Sequence, residues 1–156
     1  MQKFLENLAE AEQIIQTSGH LLYVTFPLVK DKRMLLKILL EIKRAIANCI
    51  NAILQYEYLF KRITLYNNPK TNLETFKRKC SQRYNLSETE IKLIDEIFDL
   101  AQKQKQSPMA FVRGDKVFIL SENLATQELT TDKIKQFLAL ANKISTNLRK
   151  TISASI

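Results

Sequence analysis

Residues 32–66, KRMLLKILLEIKRAIANCINAILQYEYLFKRITLY, decide how the rest of the chain is read. Leu35, Leu39, Ile42, Ile46, Cys49, Ile53, Tyr56, Phe60 and Ile63 alternate at four and three residues without a break. That spacing is the mark of an α-helix with a continuous packing seam, and it predicts one helix over 32–66. A second set, Lys37, Glu41, Arg44, Asn48, Asn51, Gln55, Tyr58 and Arg62, keeps the same period and is polar except for the tyrosine. Between the two lie apolar flanks: Leu36, Leu40, Ala47, Ile50 and Leu54 on one side, and Met34, Ile38, Ala45, Ala52 and Leu59 on the other. A helix apolar over most of its circumference needs more than one partner, so it is expected to be the hub of a bundle with one polar stripe left for solvent or a ligand.

Composition agrees with long helices. Two glycines and three prolines in 156 residues are too few for a turn-rich β-fold. Upstream, Phe4, Leu8, Ala11 and Ile15 form an apolar face, and the phase carries on through Leu22, Phe26 and Val29. Either the first helix runs through Gly19 to Pro27, or Gly19 ends it and a short helix follows; the kept period favours continuation. Pro27 to Asp31 then form a short turn, with Asp31 as N-cap of the central helix. The two long helices are therefore expected to be antiparallel neighbours.

Downstream, Asn67-Asn68-Pro69 stops the central helix. Leu73, Phe76, Cys80 and Tyr84 mark a short third helix. Ser87 and Glu90 form a capping box for a fourth, with Ile91, Ile94, Phe98 and Ala101 inward. The chain then changes texture. Residues 110–113 and 116–120 read as two strands joined at Gly114-Asp115. Residues 121–130 read as a loop with a turn near Asn123. A last helix starts near Thr131 with Ile134, Phe137, Leu138, Ala141, Ile144 and Leu148 inward, and residues 151–156 fray.

The predicted fold is mainly α: a helical bundle around a long antiparallel helical hairpin, with one small β-hairpin before the C-terminal helix. It is one domain over 1–156, made of a helical core (1–106), the β-hairpin (107–121) and a C-terminal helix (130–151) packed back on the core.

The inventory of reactive groups is short. His20 is the single histidine, without a carboxylate beside it in sequence. Two glycines cannot build a phosphate-cradling loop, which removes P-loop and dinucleotide-fold enzymes. Cys49 and Cys80 are far apart, show no metal spacing and suit a reducing, cytoplasmic setting. Asp95, Glu96 and Asp99 share a helix region and read as a solvated acidic face. Arg113-Gly114-Asp115 reads as a turn. Helical ribonucleases of the HEPN class carry an arginine followed shortly by a histidine on a long helix, whereas Arg62 is followed by Asn67 and Asn68. No catalytic residue, metal site or cofactor is predicted. The segment Met34 to Leu40 is apolar, but Lys37 interrupts it, and no run is long enough to span a membrane.

What remains is charge. The chain carries 24 Lys+Arg against 16 Asp+Glu, a net charge of +8 spread along its length. Such an excess favours polyanions: RNA, DNA or an anionic membrane surface. The densest cluster is Lys70, Lys77, Arg78, Lys79 and Arg83, with Glu74 as the one acid between 70 and 83. These are the predicted phosphate contacts, extended along the polar stripe by Arg44, Arg62 and Tyr58, the last by stacking on a base. An ordinary solvated face has the same composition. Lys30, Lys32, Arg33 and Lys37 form a second cluster at the start of the central helix, where cations oppose the helix dipole and gain nothing locally. The predicted function is a non-enzymatic basic binding or adaptor protein for nucleic acid or a ribonucleoprotein. The alternative is a protein-interaction or homo-oligomerisation module on the long helix.

The strings HLLYVTFPLVKDKRMLLK (20–37), AILQYEYLFKRI (52–63), SPMAFVRGDKVFIL (107–120) and LTTDKIKQFL (129–138) are similar to those of a small archaeal family of mainly helical proteins. The resemblance covers most of the chain. It implies a cytosolic archaeal protein and brings no activity, cofactor or site residue with it.

Overall fold

The computed structural model of the chain describes residues 2–106, 110–113, 116–120 and 126–155. It is mainly helical, with a three-stranded antiparallel sheet ahead of the last helix. Helix α1 (Lys3–His20) passes through a π-helical turn (Leu21–Thr25) into the short α2 (Phe26–Val29). Helix α3 spans Met34–Leu59, and α4 (Pro69–Thr75) enters a second π-helical turn (Phe76–Cys80). Helix α5 (Glu88–Gln106), strands β1 (Ala110–Arg113), β2 (Lys116–Leu120) and β3 (Thr126–Leu129), and helix α6 (Thr131–Ala154) follow.

The first helix does run through Gly19, and Pro27 does not stop it. In a regular helix the Pro27 ring would strike the Tyr23 carbonyl and leave it without a donor. The π-turn lengthens the ladder just ahead, with the Phe26 N–H donating to the Leu21 carbonyl five residues back. The extra residue rotates the apolar phase. Leu22 stays buried, but Phe26 is half-buried and Val29 is exposed, contrary to the expected seam. Gly19 makes no unusually close approach: a Cβ there would lie 3.9 Å from Leu138 Cδ2, an ordinary contact. Lys30 (φ 59°) ends the segment by donating its N–H to the Phe26 carbonyl at 2.8 Å. The Asp31 carboxylate accepts from Arg33 N–H at 3.0 Å, so it caps the turn before α3, whose own N-cap position is Arg33.

Helix α3 is shorter than its periodicity suggests. Leu35, Leu39, Ile42, Ile46, Cys49, Ile53 and Tyr56 are all buried, but the helix ends at Leu59 and Phe60 is 45% exposed. Lys61 takes a left-handed conformation (φ 59°). Its N–H donates to Tyr58 O and the Arg62 N–H to Glu57 O, at 2.9 and 3.0 Å. These are the two bonds of a Schellman motif, which turns the chain off the helix axis. Asn68 and Pro69, expected to stop this helix, start the next. The Asn68 side chain accepts the Lys70 N–H at 2.9 Å and Pro69 takes the first helical position, where no N–H is needed.

Helix α3 packs against α1, α5, α6 and the second π-turn. Along α1, Phe4 meets Tyr56 edge-on with centroids 5.3 Å apart, Asn7 donates to Gln55 at 3.3 Å, and Glu10 lies 4.0 Å from Arg44. On α6 the six residues expected to face inward are all buried. That helix does not fray at 151: Ile152 is buried, and the Tyr56 hydroxyl is hydrogen-bonded to Ser155, which holds the last turn on α3. Arg149 grips Glu12 of α1 with two nitrogens.

The sheet has the order β1-β2-β3. Residues 126–129, expected as loop, pair with β2 in the register Val117↔Leu129 and Ile119↔Gln127. Val117, Ile119 and Leu129 are buried together, so β3 supplies the apolar partner and the second set of backbone bonds that a lone two-stranded ribbon would lack. Phe111 stacks on Phe118 across β1 and β2 at 5.2 Å. The expected turns at Gly114-Asp115 and near Asn123, and the break at Ser107-Pro108, lie outside the described residues.

The capping box of α5 forms as read: Glu90 N–H donates to Ser87 Oγ at 3.2 Å and Ser87 N–H to Glu90 Oε1 at 3.0 Å. The same carboxylate receives Lys143 Nζ of α6 at 2.8 Å on each oxygen. Burial pushes the Glu90 carboxyl up, but the bonds from Lys143 and Ser87 outweigh it and hold it below its ordinary value of 4.5. A carboxyl depressed in the folded state stabilises the fold above its unfolded value and loses that contribution as pH falls through the folded one. Urea unfolding across that acid range is therefore expected to show a shallower pH dependence in E90Q than in the parent chain.

Candidate nucleic-acid interface

Five predicted cations lie on or next to α4 and the second π-turn. Phe76, Cys80 and Tyr84 are fully buried, as their spacing requires, and they fix the segment against the core. Ser81 N–H donates to the Phe76 carbonyl at 3.0 Å, the five-residue ladder of a π-turn. Arg78 and Lys79 are left exposed. Lys77 is not: its ammonium lies 2.6 Å from Asp95 of α5 and 3.8 Å from Glu74, with a fifth of its side chain exposed. Tyr84 closes the segment, and Asn85 (φ 58°) leads the chain away through a second Schellman turn, with Leu86 N–H donating to Ser81 O.

Arg83 and Arg62 converge on a residue outside the predicted set. Glu57 is 1% exposed. Arg62 Nη1 lies 2.7 Å from its Oε2, Arg83 Nε 2.8 Å from its Oε1, and the Tyr84 hydroxyl donates to it at 3.5 Å. The two arginines are the counter-ions of a buried carboxylate, which limits what they can offer a phosphate. A signal was present in the sequence: Glu57 follows Ile53 by four residues and Ile50 by seven, which places a lone acid on an apolar face. Burial and the Glu57 charge push the Cys80 thiol up to about 11, against the lowering effect of Arg83 and Lys79. Burial and Glu12 push Cys49 up to about 12. Burial, then Glu57, raises the Tyr84 hydroxyl as well. Both thiols are thus protonated and poorly nucleophilic near neutrality.

The structure divides the remaining residues among separate places. Arg44 is half-exposed and paired with Glu41 at 2.8 Å. Tyr58 is 55% exposed at the far end of α3, in an open cleft of about 650 Å³ with Gln2, Lys3, Lys61 and Thr64. Lys77 and Arg78 line a shallow groove of about 340 Å³ with Gln82, Glu88 and Lys92. Lys70 lies elsewhere, on a cleft of about 640 Å³ between α3, α4 and α5.

This last cleft has the most coherent chemistry. Its apolar lining comes from Ile50 and Leu54 of α3, Leu73 of α4 and Phe98 of α5. Lys43 and Lys70, both exposed, come from α3 and α4. Lys43 Nζ lies 5.9 Å from the Phe98 ring centroid. Asn51, Asn67 and Gln102 add exposed amide side chains. Asn72 is occupied, bonding the Tyr66 backbone at 2.8 and 2.9 Å and so fixing the loop that forms one wall. Periodicity places Asn51 on the polar stripe, whereas Lys43 carries no signal in the sequence, because only the approach of α4 and α5 makes its position part of a concave surface. No described residue lining this cleft is a carboxylate, histidine, hydroxyl or thiol.

Elsewhere, Asp95, Glu96 and Asp99 are each paired with a lysine: Lys77, Lys133 and Lys103 respectively. Among the described residues no three His, Cys, Asp or Glu side chains are grouped to hold a metal ion. His20 is exposed at the end of α1. No described helix is long and apolar enough to cross a membrane. Neither a known family model nor a curated protein matches the chain.

Proposed function

We propose that the protein is a non-catalytic, cytoplasmic binding or adaptor protein for nucleic acid, free or within a ribonucleoprotein. The observation that carries this reading is the cleft between α3, α4 and α5, where Lys43 and Lys70 flank an apolar lining that includes Phe98. Ammonium groups neutralise phosphates, amides meet base edges, and an aromatic and aliphatic surface receives an unstacked base. Its volume suits a nucleotide-sized group. Arg78 and Lys79, exposed on the π-turn that follows α4 and outside the lining of this cleft, are further phosphate contacts in this reading. Among the described lining residues the titratable groups are two exposed lysines with no carboxylate, imidazole, hydroxyl or thiol beside them, which favours binding over catalysis. The reading also takes α1 and α3 as one long antiparallel hairpin, supported by partner numbers that fall from Tyr56 to Arg44 as α1 rises from Phe4 to Glu10. The resemblance to an archaeal family adds no activity to this reading.

Fluorescence anisotropy with an unstructured RNA tests it. Four phosphate contacts predict an affinity that falls by about 50-fold between about 50 and about 200 mM salt. The K43E/K70E variant is expected to bind at least about tenfold more weakly and with a shallower salt slope. No binding at low salt, or unchanged binding by K43E/K70E, would overturn the reading. The second reading, a protein-interaction or oligomerisation module on α3, rests on Tyr58, Leu59 and Phe60, exposed together at 55%, 49% and 45% where that helix ends. Light scattering that shows a monomer at all concentrations would count against a homo-oligomer there.

A further inference from the structure

The turn that joins α2 to α3 combines features that nucleic-acid binding does not use. Leu28 is 81% exposed, the most exposed large apolar side chain among the described residues. Tyr23, Val24 and Val29 beside it are exposed by about half. They lie in or just after the π-turn, whose extra residue shifts the apolar phase: Leu22 stays buried and Phe26 still packs partly on the core, while Tyr23, Val24, Leu28 and Val29 face outward. Directly after this apolar tip comes K30-D-K-R-M-L-L-K37, four cations against one acid. Lys30, Arg33 and Lys37 are exposed, and the Asp31 carboxylate faces back to the Arg33 N–H. Arg33 and Lys37 lie at the N-cap and in the first turn of α3, where the helix dipole disfavours positive charge, whereas Lys30 sits at the C-terminal end of α2, where it is favoured. Lys135 of α6 reaches the same region, with Nζ 5.7 Å from the Tyr23 ring centroid.

We infer that this tip docks on an anionic lipid surface. The apolar side chains enter the headgroup and acyl boundary, Tyr23 takes the interfacial position that suits a ring with a polar end, and the cations meet lipid phosphates. Charge complementarity selects the occupant. A nucleic-acid backbone would meet the cations but leave Leu28, Val29 and Val24 in water, whereas an anionic bilayer satisfies both sets at once. The attachment is peripheral, through one short segment.

Co-sedimentation of the full chain with phosphatidylcholine vesicles, with and without phosphatidylglycerol, tests the inference. Binding is expected to the phosphatidylglycerol vesicles alone and to weaken as salt rises. K30N/R33Q, in which asparagine keeps the left-handed conformation at position 30, is expected to bind about 30-fold more weakly. L28S/V29S is expected to lose at least tenfold (about 0.8 kcal/mol per buried CH₂). Circular dichroism and RNA affinity should be unchanged in both variants, since neither alters the core or the α3–α4–α5 cleft. The inference is overturned by absence of sedimentation, by equal binding to neutral vesicles, or by unchanged binding of L28S/V29S. Self-association that L28S/V29S abolishes would also overturn it, by assigning the tip to a second copy.

Discussion

Replacing Arg62 and Arg83 together by methionine is expected to lower the unfolding free energy by about 3–5 kcal/mol. The cost arises at Glu57 more than at the arginines. Each arginine side chain is more than a third exposed, so its own loss is screened by water. The Glu57 side chain is 2% exposed and would keep only the Tyr84 hydroxyl, at 3.5 Å. A buried carboxylate without a counter-ion is costly, and neutralising it should relieve the cost. E57Q added to the double variant is therefore expected to recover most of the loss. E57Q alone should cost less than the double variant, because its two arginines can turn to solvent. Urea unfolding followed by circular dichroism gives all three values. If R62M/R83M loses less than about 1 kcal/mol, the carboxylate is hydrated in solution and the cluster does not hold the end of α3.

Phe76→Ala is expected to cost about 3–5 kcal/mol as well, by a different route. The ring is fully buried where α4 passes into its π-turn, and truncation leaves a cavity that fixed backbone on both sides cannot fill. Phe76→Leu retains most of the volume and should cost less than about 1.5 kcal/mol. The denaturation midpoint should fall in Phe76→Ala while the slope stays constant, as expected for a core defect that leaves the denatured state unchanged. A marked change of slope would show that the π-turn unfolds separately from α3 and α6. The site has a stake in this residue, because Phe76 and Cys80 anchor the turn that exposes Arg78 and Lys79.

The burial of Phe76 is marked by its spacing, whereas the meeting of Arg62 and Arg83 at Glu57 is a contact that periodicity does not reveal. The seven inward residues of α3 from Leu35 to Tyr56, the six of α6, and the capping box at Ser87 and Glu90 were legible, because they depend on spacing within one turn or a few turns of a single helix. The same period runs on through Phe60 and Ile63 after the helix has ended: Phe60 is 45% exposed, whereas Ile63 is buried from the segment beyond the helix. Lys61, a non-glycine residue in the left-handed region, reverses the chain there, and the Arg62–Glu57 pair holds the reversal closed. Residues 126–129 read as loop for a similar reason. Thr126-Gln127-Glu128-Leu129 is polar except for its last residue and so shows no strand alternation, and β2 supplies the edge that makes it one.

The candidate site follows the same division. The amino-acid sequence by itself determined that the protein is mainly helical, which helix faces are buried, and that it carries a net charge of +8. Each of these follows from composition or from side chains three and four residues apart, which a helix places on one face wherever it packs. Which cations remain available was decided only by the tertiary structure. Lys77 meets Asp95 and Arg83 meets Glu57 across 18 and 26 residues of chain. Lys43, Lys70 and Phe98 line one cleft only because α4 and α5 close against α3. An ion pair or a cleft depends on where separate elements meet, and no local period encodes that meeting.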